Sequence, residues 1–314
     1  FTHNGFFWTG VVGYRGSYLN AIRNGDYGIY AFDSTMGRFD NDYASGSPDA
    51  GFYIGQCSPC DAVITDVIAE WNGIGYSGTN AGGNLYIVNS AWHDNRVGIV
   101  PNSGTGEANP PQRDSVIAGN RVYSNNNAQT AAIDIAQTAT YNGILLAGGN
   151  ENVVVRNLVY DHELVGIAPV VLPEKLLDPD NPKAQNFDAR DNTIRENVLR
   201  DNRAADLALV TSIDDPNDAG GNCFAGNTYT TSLPADIETV APCDASAAPP
   251  FTTDIGRFLS LLAAEKPAPA DYKTVQLPDP GDQPQMENAQ DAPPEPASKL
   301  RAPKIDLDDI TLPN

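Results

Sequence analysis

Seven times along this chain a glycine opens a short apolar strand: Gly5-Phe-Phe-Trp, Gly28-Ile-Tyr-Ala, Gly51-Phe-Tyr-Ile, Gly75-Tyr-Ser-Gly, Gly98-Ile-Val-Pro, Gly143-Ile-Leu-Leu and Gly166-Ile-Ala-Pro. The first four steps between these markers are 23, 23, 24 and 23 residues long. A fixed period of this length, rich in strand formers and punctuated by Asn, Asp and Gly, confines the chain to a stacked solenoid. No window before residue 255 sustains a three-four apolar spacing, so helices cannot supply the repeat.

Laying one rung on the next fixes the phase. Ile64 to Gly75 falls on Ile87 to Gly98, with Asn72 over Asn95 and Glu70 over His93. Later rungs repeat the grammar in Asn120-Arg-Val-Tyr-Ser-Asn-Asn, Asn157-Leu-Val-Tyr-Asp-His and Asn197-Val-Leu-Arg-Asp-Asn. Asn tolerates left-handed backbone angles and bonds its own turn, so each coil reads as strand, corner, strand, and stacked corners can build an amide ladder. The residue after each marker, Phe6, Ile29, Phe52, Tyr76, Ile99, Ile144 and Ile167, should point inward. The next column then points outward.

The Asn-x-Val-x-x-Asn then x-Gly-Ile rhythm resembles the right-handed parallel β-helix repeat proteins, which include pectate lyases, polygalacturonases, alginate epimerases and periplasmic non-catalytic relatives. The resemblance covers roughly residues 1–232. It implies an all-β fold, a right-handed parallel β-helix solenoid with loop insertions, and a Pro-rich extended C-terminal tail. Residues 1–245 form the β-helix in this reading, and 246–314 an acidic Pro-rich tail with one short helix near 254–265. Fold does not dictate chemistry here, since one coil carries many reactions.

Of the four cysteines, Cys223 and Cys243 lie in a loop-like stretch that a disulfide would fasten. Cys57 and Cys60 lack the helix of a redox motif and the second ligand pair of a zinc site, which favours a local disulfide. No charged-then-apolar leader and no spanning apolar stretch occurs. The chain opens mid-rung at Phe1-Thr-His-Asn-Gly, so a leader or earlier coils are expected upstream, or a protein partner over that end. These features lead to the expectation of a secreted, cell-surface or periplasmic protein.

The net charge of −21 excludes nucleic acid as a partner. A polysaccharide or cell-surface glycan fits better, a polyanionic one only where Ca²⁺ bridges it, and no cofactor is required. Residues 251–314 hold 10 of the 24 prolines and 11 acids against 6 bases. Such a stretch is either a solvated linker or, through the alternating Lys304 to Pro313 segment, an edge strand docked on its own coil or on a partner.

Chemistry is sought where columns stack outward. Glu70 over His93, and the run Tyr160-Asp161-His162-Glu163, offer carboxylate and imidazole together, as general acid-base work requires. The alternative is a hydrogen-bonded corner ladder. The Asp161-His162-Glu163 run is similar to the Asp-Pro-His-Glu motif of alginate epimerases but lacks its proline, while the polygalacturonase Gly-His-Gly and Arg-Ile-Lys motifs are absent. Glu70, His93, Asp161 and His162 are thus the catalytic candidates for a lyase, epimerase or glycosidase. Phe7, Tyr30 and Tyr53, with Asp33, Asp40 and Asp42 near, form a column suited to stacking sugars without chemistry. Segments 101–111, 127–141 and 171–186 should leave the coil and wall a cleft near His93 and His162, the 45-residue step from Gly98 to Gly143 spanning roughly two coils. A structural subunit docking through its tail is the remaining class.

Overall fold

A computed structural model describes residues 1–244, 250–287, 289–290 and 301–314. Three parallel sheets of nine, eight and seven strands run along it, and each coil adds one strand to each sheet in turn. Ala50–Gly55, Ala62–Thr65 and Ile68–Glu70 are followed by Ile74–Thr79, Gly82–Val88 and Ala91–His93, then by Val97–Asn102, Arg113–Ala118 and Arg121–Tyr123. The marker glycines start the strands of the first, nine-stranded sheet. They stack so closely that a Cβ on Gly28 would lie 2.5 Å from the Gly51 carbonyl oxygen, and one on Gly98 2.5 Å from that of Gly143.

The residues after the markers pair in register, Phe6 with Ile29, Ile29 with Phe52, Phe52 with Tyr76, Tyr76 with Ile99, Ile99 with Ile144 and Ile144 with Ile167. From Ile29 onward every one is fully buried. Like side chains therefore stack on like along a dry axis, which is how a one-dimensional repeat buries its core.

The corners are built from asparagine. Between the second and third sheets each coil places one residue in the left-handed region, Asp66, Asn89, Gly119, Arg156 and Glu196 in successive coils. The residue after it carries the ladder: Asn157 Oδ1 accepts from the Asn120 N–H (3.0 Å), Asn197 Oδ1 from Asn157 (2.9 Å) and Asn227 Oδ1 from Asn197 (3.0 Å). A second ladder after the third sheet joins Asn72, Asn95 and Asn125, and a third before the second sheet joins Gln112, Asn152, Asn192 and Asn222. Buried backbone N–H groups that the tight corners would orphan are satisfied this way.

Three expectations about the loops need correction. The 45-residue step is one coil with two insertions, because Ile99 pairs directly with Ile144. Pro101 and Asn102 stay in their strand, and the loop leaves only after them. The insertions do not wall a cleft at His93 and His162 but cross the first sheet, where Ala132, Ala136 and Ala139 pack against Ala50, Ile74 and Val97. Those strand residues are apolar on their outer face and need that cover.

Both disulfides are formed, Cys57–Cys60 and Cys223–Cys243. The expected division at 245/246 falls outside the described residues, as does the Pro293-Pro-Glu-Pro run. Beyond it, helix Ile255–Ala263 opens with Asp254 accepting from the Arg257 N–H at 2.8 Å. The tail then returns to the coil. Arg23 donates to the Tyr272 and Val275 carbonyls, Arg96 to that of Pro267, and Arg156 to those of Leu307 and Ile310. The last segment docks on its own coil, yet as a 3₁₀ turn at Leu307–Asp309 and not as an added strand.

Candidate functional site

The outer row of the third sheet holds the sequence candidates Glu70 and His93. Strand alternation puts the middle residue of each three-residue strand inward (Ala69, Trp92, Val122, Val159) and the third outward. Register then stacks Glu70, His93, Tyr123, Tyr160 and Arg200 as neighbours on consecutive coils.

Each member of the row is held. The Tyr43 hydroxyl donates to Glu70 Oε1 at 2.7 Å, while Glu70 Oε2 faces His93 Nδ1 at 3.8 Å. Burial, and next the bond to Glu70, push the Tyr43 phenol above its ordinary value, so it stays a donor. His93 Nδ1 lies 2.8 Å from Asp94 Oδ2. The imidazole lies flat on Tyr123, with ring centres 4.7 Å apart and planes 13° apart, and Tyr123 lies on Tyr160 at 5.1 Å and 6°. Arg200 closes the row 4.6 Å over the Tyr160 ring, and Arg121 lies 5.4 Å over Tyr123. His93 and Glu70 remain partly open, at 16% and 14% side-chain exposure.

Tyr43, Tyr123 and Arg200 were not among the sequence candidates for this row, and Tyr160 entered only as the start of the run to Glu163. The signal was present: each outward residue except Tyr43 falls three positions after the corner residue, as in Asn120 and Tyr123, Asn157 and Tyr160, or Asn197 and Arg200.

His162 is not in this row, and its burial removes it from any contact with substrate, against the expectation from the sequence. It is buried in the second ladder, with Nε2 3.1 Å from Asn125 Nδ2 and Nδ1 2.8 Å from Asn202 Oδ1. It occupies the place that asparagine holds in the coils before it. Asp161 is exposed beside the row and accepts from the Ser124 hydroxyl at 2.7 Å. The backbone turn between them sends the two neighbours to opposite sides of the wall, so the run never forms one site.

The aromatic column of the first sheet is also altered. Phe7 stands 56% exposed on Tyr30, with ring centres 5.2 Å apart, and Tyr30 stacks on Tyr53 at 4.5 Å. Tyr53, however, is fully buried beneath the loop after Asn102, its hydroxyl donating to Glu107 Oε1 at 2.7 Å. No sugar can reach it. Burial pushes the Glu107 carboxyl up to about 7, and it does the same to Asp49 beside Tyr27. Asp40 and Asp42 belong to the second sheet and its corner, where Asp40 binds Arg38 and Asp42 accepts from the Leu19 N–H. They cannot serve this column.

Glu70, His93 and Asp94 each bring one ligand atom within 4.8 Å of the others, the one such group among the described residues. An imidazole and two carboxylates suit a zinc-like ion; Ca²⁺, which takes six to eight oxygens, fits this trio poorly.

A protein-family model described as a right handed beta helix region matches residues 4–171. Among solved structures, the chain is similar to the A-module of the mannuronan C-5 epimerase AlgE4 of Azotobacter vinelandii, at 14% identity and a TM-score of 0.52, covering 69% of this chain and 53% of that one. It is also similar to a double mutant of the periplasmic alginate epimerase AlgG, at 16% identity and a TM-score of 0.51, covering 73% and 48%. The chain spans about half the length of these structures, and the likeness is one of fold. No curated protein sequence matches it.

Proposed function

This chain belongs to the right-handed β-helix family, and from that premise we propose that it engages an extracellular polysaccharide along the outer row of the third sheet and works on it by acid-base chemistry. The polysaccharide class is suggested by the two similar structures, which are named as epimerases of mannuronan and of alginate. The carrying observation is that Glu70 and His93 face each other at 3.8 Å across one coil step, both partly exposed and each oriented by its own partner.

With the Nδ1–H of His93 donating to Asp94 Oδ2, Nε2 is left as the nitrogen that accepts a proton from substrate. The imidazolium so formed lies between the carboxylates of Asp94 and Glu70. Glu70, its other oxygen fixed by Tyr43, is the second proton-transfer group. Tyr123, Tyr160 and Arg200 offer hydroxyl and guanidinium donors to the sugar units farther along. The two tyrosine rings are stacked between His93 and Arg200, so they bind by hydrogen bonds and not by stacking. A lyase, an epimerase and a glycosidase all require such a transfer. No step here passes through a metal.

The two disulfides support a secreted or periplasmic setting, and no described helix is long and apolar enough to cross a membrane. The open ring of Phe7 favours a second, non-catalytic reading in which the first sheet holds glycan at its N-terminal end. A glycan array with and without Ca²⁺, followed by turnover assays on every ligand found, separates the two. His93→Gln should abolish turnover and keep glycan binding. Unchanged turnover in that variant removes the acid-base reading.

A further inference from the structure

One outward column of the first sheet changes character along the axis. It runs Phe7, Tyr30, Tyr53, Ser77 and Val100 in the first coils and ends in Leu145, Ala168, Ala208 and Leu233. Where the side chains shrink to alanine, helix Ile255–Ala263 spans the sheet without filling the gap beneath it. The result is a cavity of about 350 Å³. Its floor is Ala168, Val170 and Ala208, and its roof Phe258, Leu261 and Leu262. Its lining is mostly aliphatic, so an apolar chain laid into it would remove that surface from water.

The rim is of a different nature. Arg257 and Lys266 border the cavity, and burial lowers the Lys266 ammonium pKa from its usual value. Asp254 also borders it, but its carboxylate is engaged in capping the helix. The Thr253 hydroxyl is buried with no hydrogen-bond partner among the described residues. Two cations, of which Lys266 spends one of its three donors on the Leu261 carbonyl at 2.7 Å, and an unused hydroxyl thus line an aliphatic pocket, in a chain whose net charge is −21.

We propose that this cavity is a binding site for a single-chain aliphatic carboxylate, with its chain along the first sheet and its head between Arg257, Lys266 and Thr253. A dry apolar cavity of about 150 Å³ takes one benzene ring, so this one accommodates roughly a dozen carbon atoms. Its size lies within the range of ordinary small-molecule sites. The proposal stands apart from the acid-base reading, which uses the third sheet, and shares no residue with the Phe7 surface at the other end of the first sheet.

The test is calorimetric titration of the full chain with dodecanoate below its micellar concentration, with dodecanol and dodecyltrimethylammonium as head-group controls. Dodecanoate should bind saturably with a negative heat-capacity change; the alcohol should be about tenfold weaker and the cation weaker still. Ala168→Phe fills the floor and should reduce dodecanoate affinity at least tenfold, while Arg257→Gln should weaken dodecanoate and leave dodecanol unchanged. If Ala168→Phe fails to fold, protection of the 255–263 helix from proteolysis by dodecanoate in the wild type takes its place as the readout. No saturable binding, equal binding of the cationic amphiphile, or undiminished affinity in a folded Ala168→Phe would overturn the assignment.

Discussion

His162 Nε2 accepts a hydrogen bond from Asn125 Nδ2 at 3.1 Å, which makes this imidazole a substitute for an asparagine in a ladder of amides. Asn125 cannot turn its oxygen toward the ring, because that oxygen already accepts from the Asn95 backbone and side chain. The Nδ1 proton is fixed in turn by Asn202 Oδ1. Protonating Nε2 would set donor against donor in a buried corner. Burial pushes the imidazole down to about 4, against the smaller opposing effects of Asn202 and Asp161.

Stability should therefore fall as the pH drops from about 6.5 toward 4, since the unfolded chain takes up a proton there that the folded one refuses. The difference amounts to about 3 kcal/mol at full extent. His162→Asn should retain the ladder and lose this acid sensitivity, its advantage over wild type growing between pH 7 and pH 4.5 in thermal melts. Turnover on any substrate should be unaffected, because the side chain is buried away from the outer row.

Glu107 works in the opposite direction. Its folded pKa of about 7 lies above the ordinary 4.5, with burial outweighing the bond from Tyr53. The folded chain holds a proton that the unfolded chain releases, so the contribution is complete below about 4.5 and lost as the pH rises to about 7. Glu107→Gln should remove up to about 3 kcal/mol of this slope. Denaturation midpoints at pH 4.5, 5.5 and 7 would show it, and a variant whose slope equals that of wild type would show that the loop over Tyr53 opens freely.

The period, the inward column and the pairing of Glu70 with His93 were legible because all follow from translation by one coil. Whatever one coil states, its neighbours restate. The run from Asp161 to Glu163 misled for a reason within the same logic: adjacent residues at a corner diverge, one into the wall and one out of it. Tyr53 misled because a column shows direction but not cover. The loop that buries it lies 54 residues on, reached through Glu107, and nothing periodic announces an insertion's landing place. The return of the tail was hidden likewise, since its anchors are backbone carbonyls that any sequence would supply.

Asn120 should be among the most costly single positions to lose. Its Oδ1 accepts from the Ser90 N–H at 3.2 Å and from the Trp92 indole at 3.1 Å, and its Nδ2 donates to the Ile87 carbonyl at 2.8 Å and to Asn157 at 3.0 Å. Asn120→Ala leaves several buried partners unpaired at about 1–3 kcal/mol each, so a total loss of about 3–5 kcal/mol is expected. Asn227 sits at the ladder's more open end, where water can replace part of what is lost, and its alanine variant should cost less. Urea midpoints of the two variants, measured side by side, check the order.

Ile310 joins the far end of the chain to the second sheet. It is 5% exposed and packs with Val63, Val88, Ala118 and Val155, a stripe that the strands turn outward. Glycine at 119 is part of the fit, because a Cβ there would come within 2.6 Å of the Ile310 side chain as well as forcing a residue with φ of +68°. Arg156 fixes the segment from the other side through the Leu307 and Ile310 carbonyls, at 2.7 and 3.0 Å. Ile310→Ala should therefore cost about 2–4 kcal/mol locally, as a large-to-small change at a buried site. Ile310→Asp should detach the segment altogether. Because each coil is supported by its neighbours and not by the tail, the loss should appear as faster proteolysis within 301–314 with the main melting transition almost unmoved. A large drop in that transition would instead mean that the tail stabilises the solenoid as a whole.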